Sequence, residues 1–301
     1  MYETSERKRI DSDFDSDAEY HKSTLKNWLQ NNQINWSKTY KYWGANRPSH
    51  SACKLIKAII LSVHEFHGSR RRRIHGSLKF EENYVLYMNV EGNISVELVH
   101  NEEDGDISTK TKEGDIKDML SIIFDKILAG VPQLDYAPDL KCLHALIKNC
   151  DGSRSDWLHI IKHPSLWHYE EKVNFICRLH RLLENDRLGN CISSKLNRMN
   201  KSLGDWRKLV TDTSLHEFLH RDAEMYPRYK KTAREHLRFF RNFLTHFRTY
   251  YRDSPKKRRY EDEKYAEFLL SMIPTNFVVK LFEMVMADSS LRRKFFHVKL
   301  V

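Results

Sequence analysis

Arg241, Asn242 and His246, close together in the stretch TAREHLRFFRNFLTHFRTYY (232–251), are the side-chain types that RNA cleavage needs. A phosphodiester of RNA carries its own nucleophile, the 2′-hydroxyl. Cleaving it without a metal takes a group that can hold and release a proton near neutral pH, and histidine suits that task. It also takes cations and amide donors aimed at a phosphate whose charge grows in the transition state. An arginine can hold two phosphate oxygens at once. The products of such a reaction are a 2′,3′-cyclic phosphate and a 5′-hydroxyl.

The element that must position these groups is legible in the same stretch. Ala233, Leu237, Phe240, Leu244, Phe247 and Tyr251 recur at alternating spacings of four and three, one stripe of an α-helix. At about 100° per residue, Arg238, Asn242 and His246 fall on the opposite side, one turn above the next. Arg241 sits at the edge of the stripe. An asparagine in mid-helix costs propensity relative to alanine, which suits a role outside the fold. His246 has no histidine or acid four residues away on either side, so no metal ligand is expected there, and no cofactor is expected elsewhere.

The 301 residues have room for two domains, and 40% hydrophobic with 12% aromatic residues is enough for a core. No apolar run approaches the roughly 18 residues of a membrane span, and the start lacks an apolar signal core. These features predict a soluble, cytoplasmic protein with no membrane partner. Five cysteines with no CxxC pair predict reduced thiols. The net charge of +10 is unevenly placed. Residues 201–260 hold 16 Lys or Arg against 7 Asp or Glu, whereas the rest of the chain nearly balances. A local excess of this kind is the footprint expected for a phosphate backbone, so RNA is the expected partner. Within it, Lys230, Arg234 and Arg238 are candidate phosphate contacts. The run PKKRR (255–259) is either a solvated loop that also touches RNA or a nuclear-localisation patch, which leaves the nucleus open as a second location.

In chain order, residues 1–20 are polar, acid-rich and aperiodic, and predict a disordered tail. Helices are expected over 23–30 and, with a stripe of Leu55, Ile56, Ile59, Ile60, Val63 and Phe66, over 49–67. Residues 74–99 alternate apolar and polar with a turn at 91–93, a hairpin of short strands. Further helices are expected over 115–130, 139–151 and 154–163. Pro164 stops the last of these, and a new one begins near Tyr169 with Val173, Ile176, Leu179 and Leu183 inward.

Several of these segments resemble a known family. Residues 75–83 resemble the catalytic loop of a protein kinase, H-R-D-L-x-x-x-N. His75, Leu78 and Lys79 stand in place, Gly76 and Ser77 replace the Arg and the catalytic Asp, and Asn83 comes one place late. No DFG or APE follows, and no Gly-rich loop or β3 lysine precedes. The helix beginning at Asp115 is similar to the central helix of a kinase C-lobe. The junction KHPSLWHYEEKVNF (162–175) then leads into a basic helical segment. That order resembles the kinase-extension nuclease (KEN) proteins, the Ire-type kinase/ribonucleases and RNase L. Leu203–Trp206 matches their G-D-W, Tyr229–Lys230 their Y-K, and Leu237–His246 their L-L-R-x-x-R-N-x-x-x-H. Ile273, Pro274 and Phe277 match their L-P-x-x-F.

The resemblance implies a mainly α protein. Residues 21–166 would form a truncated pseudokinase C-lobe with a few short strands, and 167–301 a helical KEN ribonuclease domain. His246 would be the general acid, Asn242 and Arg241 would hold the phosphate, and Tyr229 would assist at the 2′-hydroxyl. The segment between Tyr229 and Arg241 is one residue shorter than the family pattern. Kinase activity is not expected, since His75, Ser77, Lys79 and Asn83 form a degenerate loop without its catalytic Asp. The family works in pairs, implying a homodimer or a heterodimer with another KEN protein. Two other readings remain open: an inactive chain that regulates a full-length KEN ribonuclease by dimerisation, and a plain RNA-binding module.

Overall fold

The computed structural model describes residues 20–31, 48–68, 74–99, 111–129, 136–185, 187–210, 213–220, 229–251 and 276–296. The expected tail, apart from Tyr20, lies outside these residues, as do 255–259, Ile273 and Pro274.

The chain is mainly helical with one small antiparallel sheet. Strand β1 (His21–Thr24) is followed without a break by α1 (Leu25–Asn31). A helix alone was expected here. The His21–Thr24 backbone instead pairs with β2 (Tyr84–Met88), His21 opposite Met88 and Thr24 opposite Val85. The Thr24 hydroxyl then accepts the Asn27 N–H at 3.2 Å and starts the helix. Helix α2 (His50–Gly68) buries the expected apolar stripe except Phe66, which is only partly covered, and Ser49 receives the Ala52 N–H at its start. Strand β2 turns back into β3 (Ile94–Leu98) with Tyr84 opposite Leu98 and Met88 opposite Ile94. Gly92, at φ 71°, makes the turn and donates its N–H to the Asn89 carbonyl.

Helix α3 (Lys112–Ser121) begins three residues before Asp115. The Thr111 side chain accepts the Gly114 N–H and fixes that earlier start. Its C-terminal continuation, Ile122–Ile127, widens to π-helical bonding. Helices α4 (Pro138–Lys148) and α5 (Arg154–Ile161) complete the first core, in which α2, the sheet and α3 bury Ile59, Ile60, Leu86, Met119 and Ile123.

Pro164–Leu166 forms a single 3₁₀ turn. His163 anchors it: its Nδ1 lies 2.8 Å from the Ser165 hydroxyl, and burial lowers its pKa to about 4. The Cys53 thiol of α2 reaches the Ser165 carbonyl at 3.7 Å. Beyond the turn, α6 (Tyr169–Asn185), α7 (Gly189–Leu203), α8 (Thr213–His220), α9 (Ala233–Tyr251), α10 (Phe277–Met286) and α11 (Ser289–Phe296) surround a second core. On α6 the inward residues are Phe175, Ile176, Leu179 and Leu183, while Val173 is half-buried. Gly204 ends α7 at φ 59° and ψ −149°, a backbone state open essentially to glycine alone. The chain then turns so that Trp206 falls back into the core. Among the described residues no helix is long and apolar enough to cross a membrane.

Candidate active site

Helix α9 buries more of its circumference than one stripe. Ala233, Leu237 and Phe240 are inside as expected, but so are His236, Phe239 and Phe243, and Leu244 is only half-buried. The extra coverage comes from Trp206, whose ring stacks on His236 at 4.2 Å and meets Phe239 at 5.2 Å, and from Phe218 of α8 against Phe243. Phe277 of α10 stacks on the other side of His236 at 4.0 Å. The imidazole is thus fully buried between two aromatic faces, and burial holds its pKa well below the ordinary histidine range.

Arg238, half-buried on the side of the helix that also carries Asn242, is covered by Tyr229. Its guanidinium lies over the Tyr229 ring at 4.9 Å and pairs with Glu235 at 2.9 Å. Tyr229 itself is held from three directions. Its ring meets Phe239 edge-on at 5.3 Å, and its carbonyl accepts from Arg207 at 3.3 Å. Its hydroxyl accepts from the Asn242 amide at 3.0 Å. Arg207 is in turn fixed by two 2.7 Å bonds to Asp205, which hold that carboxyl below its usual range.

Asn242 is the middle of a chain. Arg241 Nη1 donates to its Oδ1 at 2.8 Å, and its Nδ2 donates to Tyr229 Oη at 3.0 Å. The direction is dictated by chemistry: a guanidinium only donates, so the amide oxygen must face Arg241 and the NH₂ must face the tyrosine. Tyr229 therefore accepts, and its own proton remains available to a third group. Burial raises the pKa of that hydroxyl, so it stays protonated near neutral pH. Arg241 has no acidic partner among the described residues. His246, one turn beyond Asn242, is exposed, and no described group hydrogen-bonds it.

The structure thus brings Arg241, Asn242, Tyr229 and Arg238 together and leaves His246 open at one end. Lys230 is exposed beside Tyr229. Arg234 is exposed one turn before Arg238 and pairs with Glu184 of α6 at 2.9 Å. That contact introduces residues that the sequence did not single out. His180 stands one turn before Glu184, half-buried. Its pKa is lowered by burial first, with Arg241, Arg234 and Arg238 adding to the effect and Glu184 opposing it. Cys177, one turn earlier, is pushed up by burial while Arg241 and Arg181 oppose the shift. The only sequence signal for this row was its helical spacing on α6.

The loop at 75–83 is tightly packed. His75, Ser77 and Asn83 are buried, whereas Lys79 is exposed, its ammonium over the equally exposed Phe80 ring at 5.0 Å. Asn83 donates its amide to the Ser77 carbonyl at 2.9 Å, and His75 Nε2 lies 2.9 Å from the Val99 carbonyl. Asp115 of α3, fully buried, accepts the N–H groups of His75 at 2.8 Å and Gly76 at 2.6 Å and lies 3.0 Å from His67 Nε2. Burial alone would raise this carboxyl; the hydrogen bonds from His67, His75 and Gly76 outweigh it and bring the pKa below its ordinary value.

Among the described residues, no three His, Cys, Asp or Glu side chains gather where they could hold a metal ion. No protein-family model matches this chain, and no curated protein sequence matches it.

Proposed function

We propose that this chain is a metal-independent endoribonuclease of the kinase-extension type, carried on a truncated kinase-like lobe that transfers no phosphate. The observation that carries the reading is the hydrogen-bonded chain Arg241–Asn242–Tyr229 with His246 exposed one turn away. In the reaction, the 2′-oxygen attacks phosphorus as its proton leaves to water, the P–O5′ bond breaks, and His246 delivers a proton to the departing 5′-oxygen. Arg241 and Asn242 hold the non-bridging oxygens, whose charge grows as the 2′-oxygen adds. Tyr229, protonated and already accepting from Asn242, donates to the 2′-oxygen or the phosphate and does not act as a base. Each donor along such a chain polarises the next.

Two observations support the kinase-like lobe. The carboxylate of Asp115, on the helix similar to the kinase central helix, binds the backbone of the loop that resembles the kinase catalytic loop. Ser77, at the position of the kinase Asp, and Asn83, one place after that of the metal-binding Asn, are both buried, which suits a lobe that transfers no phosphate. The protein would act as a homodimer or with another KEN protein, on RNA in the cytoplasm or nucleus.

The test is incubation of a hairpin RNA with the protein in EDTA, parent beside His246→Ala. The parent should leave 2′,3′-cyclic phosphate ends, and the variant should cleave slower by about 10²–10⁴-fold. Equal rates would refute the assignment.

A further inference from the structure

Helices α6 and α9 run side by side in opposite directions, with Glu184 against Arg234 at one end and Cys177 near Arg241 at the other. Their inner faces are locked together in the second core through Ile176, Leu179, Leu183, Leu237 and Phe240. Along the outer edge of this seam, His180 sits within electrostatic reach of Arg234, Arg238 and Arg241. Arg181 is exposed beside it and within reach of Cys177. His180 lies one turn from Glu184, which Arg234 grips, so the seam gathers Arg234, Arg238 and Arg241 of α9 around this half-buried histidine and Arg181 of α6 beside the neighbouring Cys177. Two glutamates, Glu184 and Glu235, face Arg234 and Arg238, which leaves four positive against two negative charges, a net of +2. Arg181 and Arg241 have no acidic partner among the described residues.

Crowded cations repel, and Arg181 and Arg241 stand on this seam with no acidic group among the described residues to offset them. An anion from outside removes the repulsion. It would meet guanidinium donors from both helices and an imidazole to which no described group is hydrogen-bonded. Arg241 belongs both to this seam and to the chain through Asn242, so the two positions are adjacent.

We propose that the α6–α9 seam is a second phosphate seat, in which His180 and Arg181 of α6 join Arg241 and Arg238 of α9 to hold the RNA phosphate next to the one being cleaved. This rests on the ribonuclease reading for its ligand. The seat reads backbone and not base, so it sets the path of the strand across the site and contributes affinity without sequence preference. It also makes α6 part of the substrate surface, whereas the cleaving groups lie on α9 and on Tyr229 just before it.

The test uses the full chain carrying His246→Ala, so that RNA stays intact, titrated with a fluorescent single-stranded RNA and with its 2′-deoxy counterpart. His180→Ala and Arg181→Ala should each weaken both oligonucleotides by about tenfold, the loss of one charge-assisted hydrogen bond. Arg187→Ala, exposed beyond the end of α6, should leave affinity unchanged. In the parent, the NMR titration midpoint of the His180 ring should rise when the 2′-deoxy oligonucleotide binds, because a phosphate offsets the arginines. A purely structural histidine would show no such rise. Unchanged affinity in His180→Ala, or a loss confined to Arg181→Ala, would overturn the seat. Failure of the unmutated protein to cleave RNA would sink the ribonuclease reading alone, since the 2′-deoxy oligonucleotide reports on the seat without any cleavage.

Discussion

The amide nitrogen of Asn242 donates to the Tyr229 hydroxyl at 3.0 Å, joining a residue that precedes α9 to one in the middle of that helix. Tyr229→Phe removes the acceptor and spares the ring contacts with Phe239 and Trp206 and the Arg207 bond to the carbonyl. The variant should fold and melt close to the parent, yet cleave RNA at least about tenfold more slowly, the scale of one lost hydrogen bond. Paired melting curves and cleavage rates decide it; an unaltered rate removes Tyr229 from the site.

His236 makes stability depend on pH. An unfolded histidine takes up a proton below about pH 6.5, whereas the buried imidazole resists protonation until a much lower pH. The stability it contributes is therefore complete above about 6.5 and falls as the pH drops. Each such group steepens the fall by up to about 1.4 kcal/mol per pH unit. His163, at about 4, acts in the same direction over the window between its two values. His236→Phe keeps an aromatic ring between Trp206 and Phe277 and removes the proton. Its unfolding free energy, measured from pH 7.5 down to 5, should decline less steeply than the parent's, and parallel curves would contradict this.

Asp115 is a fully buried acceptor for two backbone N–H groups and a hydrogen-bond partner of the His67 ring. Asp115→Ala leaves these groups without it and should cost about 3 kcal/mol or more. Asp115→Asn keeps one oxygen and should lose less. Chemical denaturation of the three proteins would show the order parent, Asn, Ala, and an alanine variant as stable as the parent would rule the account out.

Ser77 and Asn83 are buried, and the Asn83 amide is spent on the Ser77 carbonyl, so neither side chain is presented to a nucleotide's phosphates. Addition of ATP with magnesium should not shift the melting temperature, and no phosphate should pass to the protein or to a generic substrate. A dose-dependent rise in melting temperature would show that the lobe does bind nucleotide.

The large periodic elements were legible because their signals are local. The stripe from Leu55 to Val63 lies within one helix, and the alternation through 84–98 within one hairpin. Strand β1 was not legible. HKST is short and polar, and it is a strand only because Tyr84–Met88 supplies a partner. The π-helical end at Ile122–Ile127 left no mark in the apolar spacing either. At the site, Arg241, Asn242 and His246 could be picked out by type and spacing. Their relation to Tyr229 could not, since it depends on how the chain before α9 folds back. The burial of Phe239 and Phe243 was missed because a single stripe underestimates a helix that Trp206 and Phe218 also cover. His180 and Cys177 stayed hidden because their meaning lies in a neighbouring helix far along the chain.

The sandwich of His236 between Trp206 and Phe277 also sets an order of manufacture. One slice of it is made before α9 and the other after it. A chain still on the ribosome that has finished α9 exposes the imidazole and Phe240 until Phe277 emerges to cover both. An unfinished chain that ends before Phe277 therefore carries α9 with an apolar flank open.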